Sequence, residues 1–201
     1  MSFLVIGLGN PGNKYIGTRH NAGFDAIDLF LEKYLKNNLP FKEQFKGLSK
    51  KVLYSGEEVF FLKPETFMNL SGESVVLFVN YFKINPENII IVHDELDFDC
   101  GTVKIIQGGS SGGHNGIESI YQHVSGAKKS LRVRIGIGHP RRKIINDTPI
   151  KQSVSDYVLS RPFSDEINQY NAGVDLAAQA IGLIIKEGFI KAQKTVNTRI
   201  K

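Results

Sequence analysis

Tryptophan is absent from the 201 residues, cysteine occurs once and methionine twice. Aromatic packing therefore falls to 13 Phe and 7 Tyr. The lone Cys100 excludes an internal disulfide framework and a cysteine-built zinc site, and it fits a reducing, cytoplasmic setting. No apolar run approaches the ~20 residues that a membrane-spanning helix needs, so no membrane role is expected. The opening MSFLVIGLGN lacks a basic leader and reads as a first buried strand, not a signal peptide. Repeats, low-complexity tracts and a dividing linker are missing too. Residues 1–201 are expected to form a single domain, the common outcome at this length. No long apolar stripe is left over for a second copy, so a monomer is expected.

Hydrophobic residues make up 41% of the chain, enough for a substantial core and too many for a disordered polymer. The formal charge of +5 does not by itself separate a polyanionic partner from an ordinary basic surface. Its distribution says more. Near the end, Lys186, Lys191, Lys194, Arg199 and Lys201 stand against Glu187 alone; in the segment 139–151, Arg141, Arg142, Lys143 and Lys151 stand against Asp147. Cations clustered in this way suit a phosphate backbone, whose contacts are mostly charge. They are too sparse for a histone-like binder.

Phe3–Leu8 is a short apolar run closed by Gly9-Asn10-Pro11-Gly12, which predicts a buried strand and a turn. From about His20 to Lys36, the spacing of Phe24, Ile27, Phe30, Leu31, Tyr34 and Leu35 predicts a helix with one buried face. Lys51–Tyr54 and Val59–Lys63 read as a hairpin around Ser55-Gly56-Glu57. A helix from about Ser71 to Phe82 follows, and Ile89–His93 is a β-branched strand. Thr102–Ile106 and Leu131–Ile137 read as further strands, with a Gly-rich loop from Gly108 to Gly116 and a short helix at about Ile117–Val124 between them. Ser164-Asp165-Glu166 reads as the cap of a last long helix, with acids on its first turn and Gly188 at its end. Strands alternating with helices predict an α/β fold; the early hairpin makes the twisted sheet mixed, with helices on both faces.

Gly7-Leu8-Gly9-Asn10-Pro11-Gly12 satisfies the dinucleotide fingerprint GxGxxG and follows a strand. That fingerprint works because a helix begins inside it and points at a pyrophosphate. Here the helix begins near His20, and the acid expected at the end of a second parallel strand is missing. The glycines instead predict a tight turn that presents Asn10 where α/β sites gather, at the carboxyl end of a strand.

Four polar groups recur at strand ends or helix starts: Asn10 with His20, the His93-Asp94-Glu95-Leu96-Asp97 corner, His114-Asn115, and Asn69 after Phe67-Met68. Each has an ordinary explanation as a cap, a solvated turn or a loop residue; together they can line one cleft. A metal-dependent nuclease is one reading, with His93, Asp94, Glu95, Asp97 and Asp99 around Mg²⁺. Against it, alternate side chains in one corner point apart. A non-catalytic RNA-binding module is another, since a fold does not fix a function.

GLGNPGNKYIGTRHNAGF, KPETFMNLSG, HDELD, GGHNG and RIGIGHP together resemble the bacterial-type peptidyl-tRNA hydrolase family. They run in the family's order and spacing from residue 7 to 140, with a weaker echo in Tyr157-Val158-Leu159. The resemblance implies an esterase that frees tRNA from a peptide, with peptidyl-tRNA as partner and neither metal nor cofactor. His20 matches the family's base, a role for which imidazole is suited near neutral pH. Asp94 matches the carboxylate that orients it. Asn10, Asn69 and Asn115 match positions lining the site, where amides can donate to an oxyanion; Asn10 is associated there with telling N-blocked from free aminoacyl ends. Asn69 and Asn115, with Tyr15 and Phe67, match positions that hold the tRNA end and the peptide. Met68 beside Phe67 suits an adaptable apolar wall, or plain core packing. Lys104 and Arg134 match basic positions credited with tRNA contact.

The chain also departs from the family pattern. Ile106 replaces a second basic residue, Ser111 stands where some members carry a histidine, and Asp99-Cys100 replaces a Pro-containing turn. These changes bear on the tRNA-binding rim and leave the catalytic set whole. Cys100 reads as a small buried residue. The basic segment 139–151 is a candidate lid, or equally a surface loop.

Overall fold

A computed structural model describes residues 2–35, 40–145 and 148–198. Lys36, Asp147, Arg199 and Lys201, which the sequence reading used, lie outside the described residues. The strands are β1 (Ser2–Gly7), β2 (Lys42–Gln44), β3 (Gly47–Tyr54), β4 (Glu57–Pro64), β5 (Ile89–Glu95), β6 (Val103–Gln107), β7 (Leu131–Gly136), β8 (Ile144–Ile145) and β9 (Thr148–Pro149). The helices are α1 (Ala22–Tyr34), α2 (Ser71–Phe82), α3 (Asn115–His123), α4 (Val154–Val158), α5 (Ile167–Glu187) and α6 (Phe189–Asn197).

Seven strands form one mixed sheet in the order β2-β3-β4-β1-β5-β7-β6. The central run β4-β1-β5-β7 is parallel; β2, β3 and β6 join antiparallel. The hairpin expected around Ser55 is present, and both Ser55 and Gly56 take positive φ, as a turn matched to strand twist requires. Side chains alternate along the strands. Val5, Phe61, Ile90 and Val92 face one core, under α1 and α5, and Leu4, Ile6, Leu62, Ile89 and Ile91 face the other, under α2 and α3. Helices therefore cover both faces, as the sequence predicts. Among the described residues no helix is long and apolar enough to cross a membrane.

The glycines of the first motif serve packing. A Cβ on Gly7 would lie 2.4 Å from the carbonyl oxygen of Gly23, and one on Gly23 would lie 2.3 Å from that of Val92. Only bare backbone lets α1 sit this close to β1 and β5. The loop from Gly12, with φ of 99°, runs through short 3₁₀ turns before α1 opens at Ala22. No helix starts inside the motif, so the dinucleotide geometry is not built.

Two sequence expectations need correction. Ser164 does not cap α5, and the first turn of that helix carries no acid. Asp165 and Glu166 are instead drawn into ion pairs: Lys143 Nζ lies 2.7 Å from Asp165 and 2.9 Å from Glu166, and Arg19 lies 2.8 Å from Glu166. Beyond Gly188 the chain resumes as α6, read from sequence only as a basic cluster. Its Asn197 amide donates to and accepts from the backbone of Ile105. That pairing covers the edge strand β6, which would otherwise expose unpaired backbone groups.

Candidate active site

The carboxyl ends of the neighbouring strands β4, β1 and β5 and the start of α3 open onto a cleft of about 630 Å³. Asn10, Tyr15, His20, Phe67, Met68, Asn69, Asp94 and Asn115 all line it. Eight of the ten sequence candidates thus meet in one place. Lys104 and Arg134 do not line it; they face each other on β6 and β7 with both cations over the Phe98 ring, 5.0 and 4.5 Å from its centre. Arg134 also donates to Glu95, at 2.9 and 2.7 Å, and Glu95 lines the cleft.

At the inner end, His20 Nδ1 lies 2.9 Å from each oxygen of Asp94. The pair joins residues 74 positions apart in sequence, brought together because His20 leads into α1, which packs on β5. Burial alone would lower the His20 pKa, but the charge and hydrogen bond of Asp94 outweigh it and raise the value above 6.5. Burial would push Asp94 up, yet the two imidazoles beside it hold its carboxyl far below the usual range. The pair is therefore poised with Asp94 ionised and Nδ1–H pointing at it, which leaves Nε2 as the basic nitrogen.

Sequence reasoning did not assign the second imidazole, His114, although its motif was noted. Its Nε2 lies 2.9 Å from Asp94 Oδ1. Its Nδ1 accepts from the backbone N–H groups of Gly116 and Ile117, capping α3. A ring that accepts at Nδ1 carries its hydrogen on Nε2, so His114 donates to Asp94. A chain of backbone bonds thus fixes the carboxylate that fixes His20. His20, Asp94 and His114 are also the one group of described residues whose ligand atoms lie close enough to hold a metal ion. The donor set fits poorly, because ligation at His114 Nε2 would move its hydrogen to Nδ1, against two N–H groups. The acid corner does not converge either: Glu95 is tied to Arg134 and His93 Nε2 accepts from Arg132.

Asn10 is held from three sides. Its N–H and C=O bond to the Asn21 side chain at 2.9 and 3.1 Å, and its Oδ1 accepts from Met68 N–H at 2.9 Å. Its side chain therefore offers NH₂ donors to a ligand. Asn21 was missed because a side chain that ties two loops leaves no periodic signal. Met68 lines the cleft and also belongs to a core cluster. Asn69 and Asn115 are exposed and their amides make no hydrogen bond to a described residue. Phe67 is 55% exposed.

Arg19, adjacent to His20, is fully buried against the Tyr157 and Phe163 rings and bonds Ser160, Arg161 and Glu166. It fastens the His20 turn to the α4 wall of the cleft. Cys100 is half-buried, with its thiol pushed up to about 11 by burial, which makes it inert.

A hydrogen-bonded imidazole and carboxylate with amide donors around one cleft can assist attack of water on a carbonyl, the chemistry of a hydrolase acting on an ester bond. Comparison with known proteins narrows that class. The family model described as peptidyl-tRNA hydrolase matches residues 4–201. Peptidyl-tRNA hydrolase of Clostridium acetobutylicum is 42% identical over 195 residues, covering 97% of each chain. That of Histophilus somni is 41% identical over 194 residues, covering 96% of this chain and 95% of its own. The crystal structure of peptidyl-tRNA hydrolase from Acinetobacter baumannii superposes with a TM-score of 0.85 at 38% identity, over 97% of this chain and 94% of that one. The chain belongs to the peptidyl-tRNA hydrolase family.

Proposed function

We propose that the chain hydrolyses the ester joining a peptide, or an N-blocked aminoacyl group, to the terminal ribose of tRNA, by direct attack of water and without a covalent intermediate. The observation that carries this reading is the buried His20–Asp94 pair at 2.9 Å, facing a cleft lined by side-chain amides. His20 Nε2 takes a proton from water as its oxygen attacks the ester carbonyl, and Asp94 stabilises the imidazolium that forms. The amide of Asn10 or Asn115 donates to the oxyanion. When the tetrahedral intermediate collapses, the C–O bond to ribose breaks and the ribose oxygen takes the proton back from His20. Water supplies all the atoms added, and the route calls for no metal or cofactor.

Tyr15, Phe67, Met68 and Asn69 hold the tRNA end and the peptide, and Asn10 senses the blocked amino group. Lys104 and Arg134 meet tRNA phosphates outside the cleft. The protein works as a single-domain monomer in the cytoplasm.

The test offers purified protein N-acetylaminoacyl-tRNA beside unblocked aminoacyl-tRNA, with a chelator present. Preferential release from the blocked ester is expected. Equal cleavage of both esters, or abolition by the chelator, would overturn the reading.

A further inference from the structure

The strand β7 alternates as expected on one face, where Leu131, Val133 and Ile135 enter the core. On the opposite face Arg132 is 2% exposed. Arg19, buried as deeply, has the carboxylate of Glu166. Among the described residues Arg132 has no carboxylate in ion-pair contact. A cation out of water without a counterion is costly, so its retained hydrogen bonds are informative.

The guanidinium donates in two directions. Nε donates to His93 Nε2 at 3.1 Å, and one terminal nitrogen donates to the carbonyls of Ser110 at 2.6 Å and Gly108 at 3.4 Å. His93 is fully buried, and since its Nε2 accepts, its Nδ1–H donates to the Asp94 backbone carbonyl at 2.7 Å. Its ring packs edge-on against His114, 4.8 Å between centres. Burial, with His114 and Arg132 nearby, holds the His93 pKa well below its ordinary value, which preserves the lone pair that Arg132 needs. The loop that Arg132 grips contains Gly108, Gly109, Gly112 and Gly113, all at positive φ. A loop so rich in glycine has little stiffness of its own, yet it delivers His114 and Asn115.

We infer that Arg132 is a positioning residue for the reaction, clamping the glycine-rich loop to the His93 ring so that His114 is held against Asp94. The inference rests on the proposed function. Lysine is no substitute, because one ammonium cannot span two acceptors in the fork geometry of a guanidinium. Arg132 does not line the cleft, so its loss acts on the placement of the reacting groups and not on substrate affinity.

The experiment measures N-acetylaminoacyl-tRNA cleavage by wild type, Arg132→Lys and Arg132→Ala, beside ¹⁵N NMR of the wild-type imidazoles. Expected is a fall in kcat of about 10- to 100-fold, as misplacement on the scale of an ångström gives, with KM within about threefold. Added guanidinium restores part of the rate in Arg132→Ala and none in Arg132→Lys. The NMR spectrum is expected to give His93 as the Nδ1–H and His114 as the Nε2–H tautomer. Wild-type kcat in a folded variant overturns the inference, as does a loss that tracks only the unfolded fraction and ignores guanidinium. Should neither variant fold, the wild-type tautomers decide, and the opposite tautomer at either ring overturns it. A wild type inactive on the ester sinks the proposed function instead, and the tautomers still judge the clamp.

Discussion

The inner and outer halves of the cleft are built on opposite terms. At the inner end His20, Asp94, His114 and Asn10 are buried or half-buried, and every polar atom that orients them is bonded within the protein. At the outer end Phe67, Asn69 and Asn115 are exposed, and the two amides have no partner among the described residues. Groups that act on a reacting bond gain from being fixed beforehand, since no reorganisation is then needed at the moment of reaction. Groups that receive a variable ligand must keep their hydrogen bonds free for it. On the proposed function the difference separates turnover from binding, so substitutions in the two halves should divide between kcat and KM.

The sharpest break is His20→Ala. It should lower kcat by about 10²- to 10⁴-fold, the usual worth of a general base, while the fold survives, because Asp94 keeps its bond from His114. Activity near that of wild type would move the base elsewhere. Smaller effects are expected outside. Asn69→Ala should raise KM by about two- to tenfold, the worth of one neutral hydrogen bond. Steady-state kinetics that put the Asn69 loss wholly in kcat would erase the division between the halves. Smallest is Arg134→Gln. It should weaken RNA binding and lessen the slope of log affinity against log salt by about one. A slope that does not change would take Arg134 off the phosphate path and leave it as the partner of Glu95.

Sequence periodicity was a good guide wherever one residue type dominates an element. Ile89–His93 and the helix at Ser71–Phe82 stand where the pattern predicts. His20 and Asp94 were legible through their motifs, and their meeting follows from α1 packing on β5. Groups whose role lies in a bond across the fold were not legible. Arg132 alternates with apolar residues, which reads as a solvent-facing position, and nothing local says that the Gly108 loop closes over it. Nothing local in the sequence marks Arg19, which the structure buries under two rings. His114 was visible as part of GGHNG, but its hydrogen bond to Asp94 depends on a tautomer that the start of α3 enforces. The second strand β2 and the helix α6 escaped because three polar residues and a basic, weakly apolar stretch carry little period. Their order comes from pairing with β3 and from Asn197 on β6.

His20 is the proposed base, its affinity for protons set by Asp94, and pH reads this directly. A base works unprotonated, so kcat/KM should rise with pH through the His20 pKa. Asp94 raises that pKa and burial opposes it. The acid limb of the wild type should therefore centre above 6.5, the ordinary value, and in Asp94→Asn it should move to lower pH while the maximal rate falls. The decisive measurement is the single-turnover pH profile of the two proteins on N-acetylaminoacyl-tRNA. A downward shift of the limb in Asp94→Asn is the expected result; an acid limb that stays in place, or is missing from both profiles, would contradict the account.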